Sequence, residues 1–211
     1  MKFCSDCGSP VERKIPPGDH LPRYLCAACG TIHYRNPKVI VGCIPEWEAD
    51  GRILMCKRAI EPRLGKWTFP AGFLELAETS GQGAAREAQE ESQAIVEIGK
   101  LFVVINVPYV SQLYLIHRAR MMAPEFGPTS ESSEVVLMRE DEIPWDQIAF
   151  PTIWHSLKFF FADRAAASGA SADGIKSFSM TSAAGQPGFH TLDLIHPPKR
   201  REDREIAGNP V

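Results

Sequence analysis

Apolar positions along the chain follow two patterns, one typical of strands and one typical of helices. Apolar runs rich in β-branched residues occur at residues 38–44, 52–57, 95–107, 112–122 and 134–139, and each predicts a strand. Residues 79–92 contain Ala84, Ala85 and Ala88, which favour a helix that Glu78 or Thr79 would cap. Residues 153–161 have helical apolar spacing and predict a second helix. This order predicts an α/β fold with a mixed sheet between helices.

The first two apolar runs are separated by a turn signal. Residues 48–51, Glu-Ala-Asp-Gly, join the run at 38–44 to the run at 52–57, and the simplest arrangement is a β-hairpin. Cys43 and Cys56 stand inside these runs, so we expect them to be buried as small hydrophobic side chains.

The other four cysteines form two Cys-x-x-Cys-Gly motifs near the N-terminus. Cys4 and Cys7 make the first pair, and Cys26 and Cys29 make the second, with residues 8–25 between them. This spacing is typical of a four-cysteine zinc site, with a redox pair as the alternative. Four thiolates close the coordination shell, so we predict a structural zinc ribbon over residues 1–35, whose folding depends on the metal.

Composition narrows the possible partners. The chain has 211 residues with 23 basic and 26 acidic side chains, a net charge of −3, which gives no electrostatic footprint for nucleic acid. Between the cysteine pairs only Arg13, Lys14 and Arg23 are basic. We therefore expect the ribbon to serve packing or dimerisation. We also expect a homodimer, and we expect no nucleic-acid partner. No segment has the apolar length of a membrane span, and residues 1–7 lack a signal-peptide core, so we expect a cytoplasmic protein without a membrane partner.

Three glutamates of the first predicted helix stand at helical spacing. Glu87, Glu90 and Glu91 occupy positions i, i+3 and i+4, so their carboxylates share one helix face. Arg86 is the only cation in residues 72–94. Because like charges repel, the cluster predicts a site for a hard divalent cation such as Mg²⁺, and the alternative is an ordinary polar outer face.

The spacing of these acids resembles the Nudix box, G-x5-E-x7-R-E-U-x-E-E-x-G-U, where U is aliphatic. The matching residues are Gly72, Glu78, Arg86, Glu87, Glu90 and Glu91. Gln93 stands where the family has glycine, and Ala94 where it usually has a larger aliphatic residue. A residue with a Cβ costs about 1 kcal/mol or more in the left-handed conformation that ends many helices. Gln93 is therefore where we expect a distorted helix end.

The resemblance implies a fold and a set of roles. It implies a Nudix α/β/α sandwich over residues 36–163, after the ribbon. Glu87, Glu90 and Glu91 would hold Mg²⁺ or Mn²⁺, Arg86 would orient the acids, and Gly72 and Glu78 would shape the loop. Residues 164–211 follow as a linker and tail, because residues 165–174 are rich in Ala, Ser, Gly and Asp. Within the tail, residues 189–195 predict a short strand and residues 197–205 a disordered segment.

Motifs outside the box are similar to ribbon-bearing Nudix hydrolases that cleave FAD and ADP-ribose. They lie at residues 56–58, 67–72, 127–134, 141–144 and 149–150. The resemblance implies metal-dependent hydrolysis of a pyrophosphate bond, giving AMP plus FMN or ribose 5-phosphate. Arg58, Gly72, Phe73 and Tyr109 are candidate substrate contacts, although an aromatic residue in a β-rich run is more often part of the core.

Alternatives stay open for an additional catalytic acid and for the function of the protein. Glu131 or Glu134, after the box, would serve as an extra base or metal ligand, unless this is only a solvated acidic loop. An NADH pyrophosphatase is the second choice. That branch of the family carries the element Ser-Gln-Pro-Trp-Pro-Phe-Pro after the box, and residues 107–115 of this chain lack it. A non-catalytic Nudix ligand sensor is the third, and such a sensor would not need the four acids of the box.

Overall fold

The computed structural model describes residues 1–166, 174–182 and 190–194. The chain divides into two compact units, Met1–Pro37 and Lys38–Val211. The first unit is a three-stranded antiparallel sheet of β1 (Val11–Lys14), β2 (Arg23–Cys26) and β3 (Ile32–His33). None of the described helices is long and apolar enough to cross a membrane.

In its described residues, the second unit contains one nine-stranded sheet and two α-helices. Its strands are β4 (Lys38–Trp47), β5 (Arg52–Arg58), β6 (Trp67–Thr68), β7 (Ala71–Phe73), β8 (Val96–Val107), β9 (Gln112–Met121), β10 (Ser132–Met138), β11 (Lys176–Ser182) and β12 (His190–Leu194). The helices are α1 (Ser80–Ser92) and α2 (Pro151–Ala166). The order is β10-β5-β4-β9-β8-β11-β12, with β6 on β5 and β7 on β4. Because β4 runs parallel to β9 and β8 to β11 while the other pairs are antiparallel, the predicted mixed sheet is confirmed.

The predicted hairpin of β4 and β5 forms only at its turn. Direct pairing is limited to Glu46 with Ile53 and Trp47 with Arg52, because β7 pairs with residues 40–42 of β4 instead. Gly42 permits this insertion, since a Cβ there would lie 2.5 Å from the Cβ of Ala71. The separation of β4 and β5 brings the loop before α1 onto the sheet.

The two helices cover opposite faces of this sheet. Cys43 of β4 packs with Ala84 and Ala88 of α1, whereas the next residue, Ile44, belongs to the core cluster that contains Leu157 of α2. Successive side chains of a strand point to opposite faces, so the helices lie on different sides. The α/β/α sandwich is thereby confirmed. Cys43 and Cys56 are both fully buried, as expected.

Strand β11 was not predicted, and it falls in the segment assigned to a linker and tail. Residues 176–179 pair with residues 103–106 of β8, and the rings of Phe178 and Phe159 stack 4.3 Å apart. Phe178 and Met180 are buried in the core, an alternation typical of a strand, but their neighbours are serine and threonine. Strand β12 lies within the short strand predicted at residues 189–195. Residues 167–173, 183–189 and 195–211, with the predicted disordered segment at 197–205, lie outside the described residues.

Candidate active site

Helix α1 presents the acidic residues, and both of its ends are capped. Thr79 is the N-cap: its hydroxyl accepts from the N–H of Gln82, whose side chain accepts from the N–H of Thr79. At the other end Gln93 has φ 62°, and its N–H donates to the carbonyl of Gln89 at 2.8 Å. The helix end that we expected to be distorted is therefore regular, because Gln93 itself adopts the left-handed conformation.

Arg86 connects three carboxylates by hydrogen bonds. Its Nε and Nη2 donate to Glu78 at 3.0 and 2.7 Å, and its Nη1 donates to Glu87 at 2.8 Å and to Glu90 at 3.0 Å. Nη2 also donates to the carbonyl of Phe73 at 3.1 Å. These charge-assisted bonds raise the pKa of Arg86 and fix the loop before α1 to the helix.

Two of the acids are buried. Glu87 and Glu91 expose only 8% and 6% of their surface. Burial raises the pKa of Glu87, and it raises the pKa of Glu91 to about 8, although Glu91 accepts one hydrogen bond from the N–H of Ala71 at 3.1 Å. A Cβ at Gly72 would overlap the carboxylate of Glu87. Only glycine at this position leaves that carboxylate its place.

This donor set fits a divalent cation. Glu91 is buried with a single hydrogen bond to its carboxylate among the described contacts, and a bound cation would offset the desolvation that raises its pKa. Oxygen ligands are those that Mg²⁺ and Mn²⁺ prefer. Among the described residues only four cysteines bring ligand atoms within 4.8 Å of one another, so the three carboxylates converge less tightly than expected. Arg86 lies between Glu87 and Glu90 and holds both.

The acids help to line a cleft of about 760 Å³. Arg58 also lines it: its guanidinium donates to the carbonyl of Pro62 at 2.8 Å and lies 5.4 Å from the ring centre of Phe150. Phe73 and Tyr109, half-exposed, line the cleft as well. The lining also includes apolar residues that were not predicted as site residues: Ile40, Ile60, Val107, Val110, Phe150 and Met180. They come from separate strands and loops, so no local pattern marks them.

Glu131 and Glu134 occupy different environments. Glu131 lines the cleft, and its negative charge adds to the burial that raises the pKa of Glu87 and Glu91. Glu134 lies on β10 outside the cleft lining, half-exposed, with a carboxylate oxygen 3.3 Å from Nζ of Lys57. Of the two candidates for an extra base, only Glu131 is near the other acids.

The four N-terminal cysteines come together in the first unit. Their sulfurs all lie within 4.8 Å of one another. Gly8 and Gly30 have φ of 73° and 75°, and their N–H groups donate to the carbonyls of Cys4 and Cys26, so each cysteine pair is followed by a tight turn. Bonds from Thr31 lower the pKa of Cys29 to about 6. The set fits a structural zinc ion.

Two family models cover most of the described chain. A model described as Nudix N-terminal matches residues 2–35, and a model described as NUDIX domain matches residues 36–153. The chain belongs to the Nudix family. It has a Nudix domain with an N-terminal zinc ribbon, as its motifs predicted.

Known Nudix proteins resemble it to different extents. A crystal structure of a NUDIX hydrolase from Nitrosomonas europaea is 52% identical, with a TM-score of 0.78, and the match covers 85% of this chain and 99% of that one. A MutT-like protein of Streptomyces ambofaciens is 35% identical over 94 residues, 44% of this chain and 59% of the relative. An NAD-capped RNA hydrolase NudC of Salmonella heidelberg is 32% identical over 137 residues, 64% of this chain and 47% of the relative. The chain thus spans about half the length of these two curated relatives.

Proposed function

We propose that this Nudix hydrolase cleaves the pyrophosphate bond of FAD or ADP-ribose, releasing AMP together with FMN or ribose 5-phosphate. The observation that carries the proposal is the cleft that joins the buried carboxylates of Glu87 and Glu91 to an apolar wall. The carboxylates suit a charged diphosphate with its metal, and the apolar lining residues suit a ring system.

The acidic residues and Arg86 have separate roles in this proposal. Glu87, Glu90 and Glu91 hold Mg²⁺ or Mn²⁺, which when bound neutralises the diphosphate charge and lowers the pKa of a water. Arg86 keeps Glu87 and Glu90 in place through its Nη1. Glu131 accepts a proton from the attacking water. The water oxygen bonds to one phosphorus, the bridging P–O bond breaks, and the bridging oxygen leaves with the other phosphate.

The remaining cleft residues bind the diphosphate and a ring system of the substrate. Arg58 faces the diphosphate as a fixed cation, since Pro62 and Phe150 hold its guanidinium. Phe73 and Tyr109 offer ring faces at the opening of the cleft to adenine or isoalloxazine. Nζ of Lys38 lies 4.8 Å from the ring centre of Phe73 and covers one of its faces.

A substrate panel tests the proposal. FAD, ADP-ribose, NADH and diadenosine polyphosphates are incubated with Mg²⁺ or Mn²⁺, and release of AMP and its partner is followed by chromatography. Glu90→Gln is the control. We expect the highest kcat/KM with FAD or ADP-ribose and a loss of at least about tenfold in the variant, as for removal of a group that acts in the transition state. A panel without any product would contradict the proposal, and equal activity of Glu90→Gln would contradict the metal assignment.

A second candidate is hydrolysis of NADH or of NAD-capped RNA. The relatives named NAD-capped RNA hydrolase favour it, although the Ser-Gln-Pro-Trp-Pro-Phe-Pro element is absent from residues 107–115. The same panel with NAD-capped RNA added separates the two candidates, because preferred turnover of the capped RNA would replace our first choice and add an RNA partner. The homodimer and the cytoplasmic location stay predictions, and light scattering of the purified protein checks the first.

A further inference from the structure

Gln93 makes a contact that the family's glycine could not make. It adopts φ 62° at the end of α1, and its side-chain amide donates to the carbonyl of Pro128 at 2.7 Å. The adjacent N–H of Gly127 donates to the carbonyl of Ser92 at 2.9 Å. The end of the helix is thereby joined to the start of the segment that leads to Glu131.

Thr129 carries this connection forward to Glu131. Its hydroxyl donates to the carbonyl of Glu91 at 3.3 Å and accepts from the N–H groups of Glu131 and Ser132, both at 3.2 Å. The carbonyl of Glu131 accepts from the N–H of Ala59 at 2.7 Å. The N–H and the carbonyl of Glu131 are therefore both hydrogen-bonded. Through Thr129, residues 127–129 hold the N–H side of Glu131 against the end of α1.

We propose that Gln93 is a positioning residue for Glu131. The bond to Pro128 sets the place of residues 128–129 relative to the end of α1, and through Thr129 it sets the distance between the Glu131 carboxylate and the buried acids. This function accounts for a side chain in a left-handed position where glycine would be free of strain. The inference rests on the proposed function, since it requires that Glu131 takes the proton from water.

Two substitutions at Gln93 separate the contact from the backbone conformation. Gln93→Met keeps the Cβ and the length of the side chain but removes the donor. Gln93→Gly removes the donor and also the steric strain. Gln89→Met is the matched control, because Gln89 is an exposed glutamine of the same helix. Among the described hydrogen bonds, none involves its side chain. Steady-state kinetics use the substrate that the wild-type protein turns over best.

We expect both Gln93 variants to lose about three- to tenfold in kcat with KM changed less than about twofold, because a small misplacement of a catalytic group affects the chemical step. Gln89→Met should keep the wild-type kcat. The thermal midpoint of Gln93→Gly should equal or exceed that of the wild type, since glycine adopts the left-handed conformation freely. Activity would then fall without a loss of stability, which a purely structural role of Gln93 would not produce.

A double-mutant cycle with Glu131→Gln decides whether Gln93 acts through Glu131. In the Glu131→Gln background, Gln93→Gly should change kcat by less than about twofold, because the group that it positions is already inactive. A full additional loss in that background, or wild-type kcat in both Gln93 variants, would overturn the inference while leaving the proposed function standing. Wild-type kcat in Glu131→Gln itself would overturn both this inference and the base assignment. Absence of turnover in the wild-type protein would instead refute the proposed function.

Discussion

Replacing Gly72 with alanine tests whether the position of one carboxylate controls activity. A Cβ at Gly72 would overlap all three atoms of the Glu87 carboxylate, so the added methyl group and the carboxylate cannot keep their places together. The backbone at Gly72 has no positive φ and pairs with Val41 of β4. Because a side chain moves more easily than a sheet, we expect Glu87 to move.

The magnitude follows from what Glu87 loses. Its Oε1 accepts from Nη1 of Arg86 at 2.8 Å, a hydrogen bond between charged groups that contributes about 1.5–3 kcal/mol. A non-rotameric side chain adds about 0.5–1.5 kcal/mol. The expected destabilisation is therefore about 2–4.5 kcal/mol, which a folded domain can tolerate. A displacement of about 1 Å at a ligand that must be in place for reaction can lower kcat by about 100-fold.

The assay compares Gly72→Ala with Gly81→Ala under the conditions that give wild-type turnover. Gly81 lies in α1, where a Cβ would meet only the Cγ2 of Ile98 at 3.5 Å, an ordinary contact. Alanine there should stabilise the helix by about 0.5–1 kcal/mol and leave kcat unchanged. Chemical denaturation and kcat are measured for both variants. If Gly72→Ala retained kcat within about threefold of wild type, the argument that the Glu87 carboxylate needs this place would be refuted.

Three further predictions concern other parts of the chain. Glu131→Gln should lower kcat at least about tenfold, whereas Glu134→Gln should stay within about threefold, because only Glu131 lines the cleft; comparable losses in steady-state kinetics would contradict this. Cys29→Ser should abolish stoichiometric zinc measured by elemental analysis, because three thiolates no longer close the shell; retained zinc would place the ion elsewhere. Phe178→Ala should destabilise the protein by about 3–5 kcal/mol in chemical denaturation, since its ring stacks on Phe159; a loss below about 1 kcal/mol would mean that β11 adds little to the core.

The elements with a strong local signal were predicted from the sequence. The helix cap at Thr79, the five apolar strand runs and the cysteine pairs each follow from side-chain chemistry within a few residues. Strand β11 was missed because its inward residues, Phe178 and Met180, alternate with serine and threonine in a polar segment, and only the edge of β8 selects the strand conformation. The short pairing of β4 with β5 was missed for a related reason, since β7 competes for β4.

The same distinction between local and non-local causes applies to the residues of the cleft. Glu87 and Glu91 could be predicted because one helix carries both, but their burial depends on the loop at Ala71 and Gly72 and on the segment of Glu131. Sequence spacing gives the direction of a helical side chain and says nothing of what covers it. From the sequence alone, Glu131 and Glu134 are equally good candidates for an extra base. Only the register of β10 with β5, which shifts between residues 132 and 134, gives the two side chains different environments.

Backbone strain provides an independent indication of where this chain departs from its local preferences. Four residues other than glycine have positive φ in the described part of the chain: Arg63, Ala77, Gln93 and Ser111. Each either lines the cleft or lies within two residues of a residue that does. A residue with a Cβ persists in this conformation only where surrounding contacts hold it, and such residues concentrate at binding and catalytic sites. The loops around the cleft are therefore held by their tertiary contacts, and Gln93, whose contact reaches the segment of Glu131, is the one of the four whose replacement by glycine separates strain from activity.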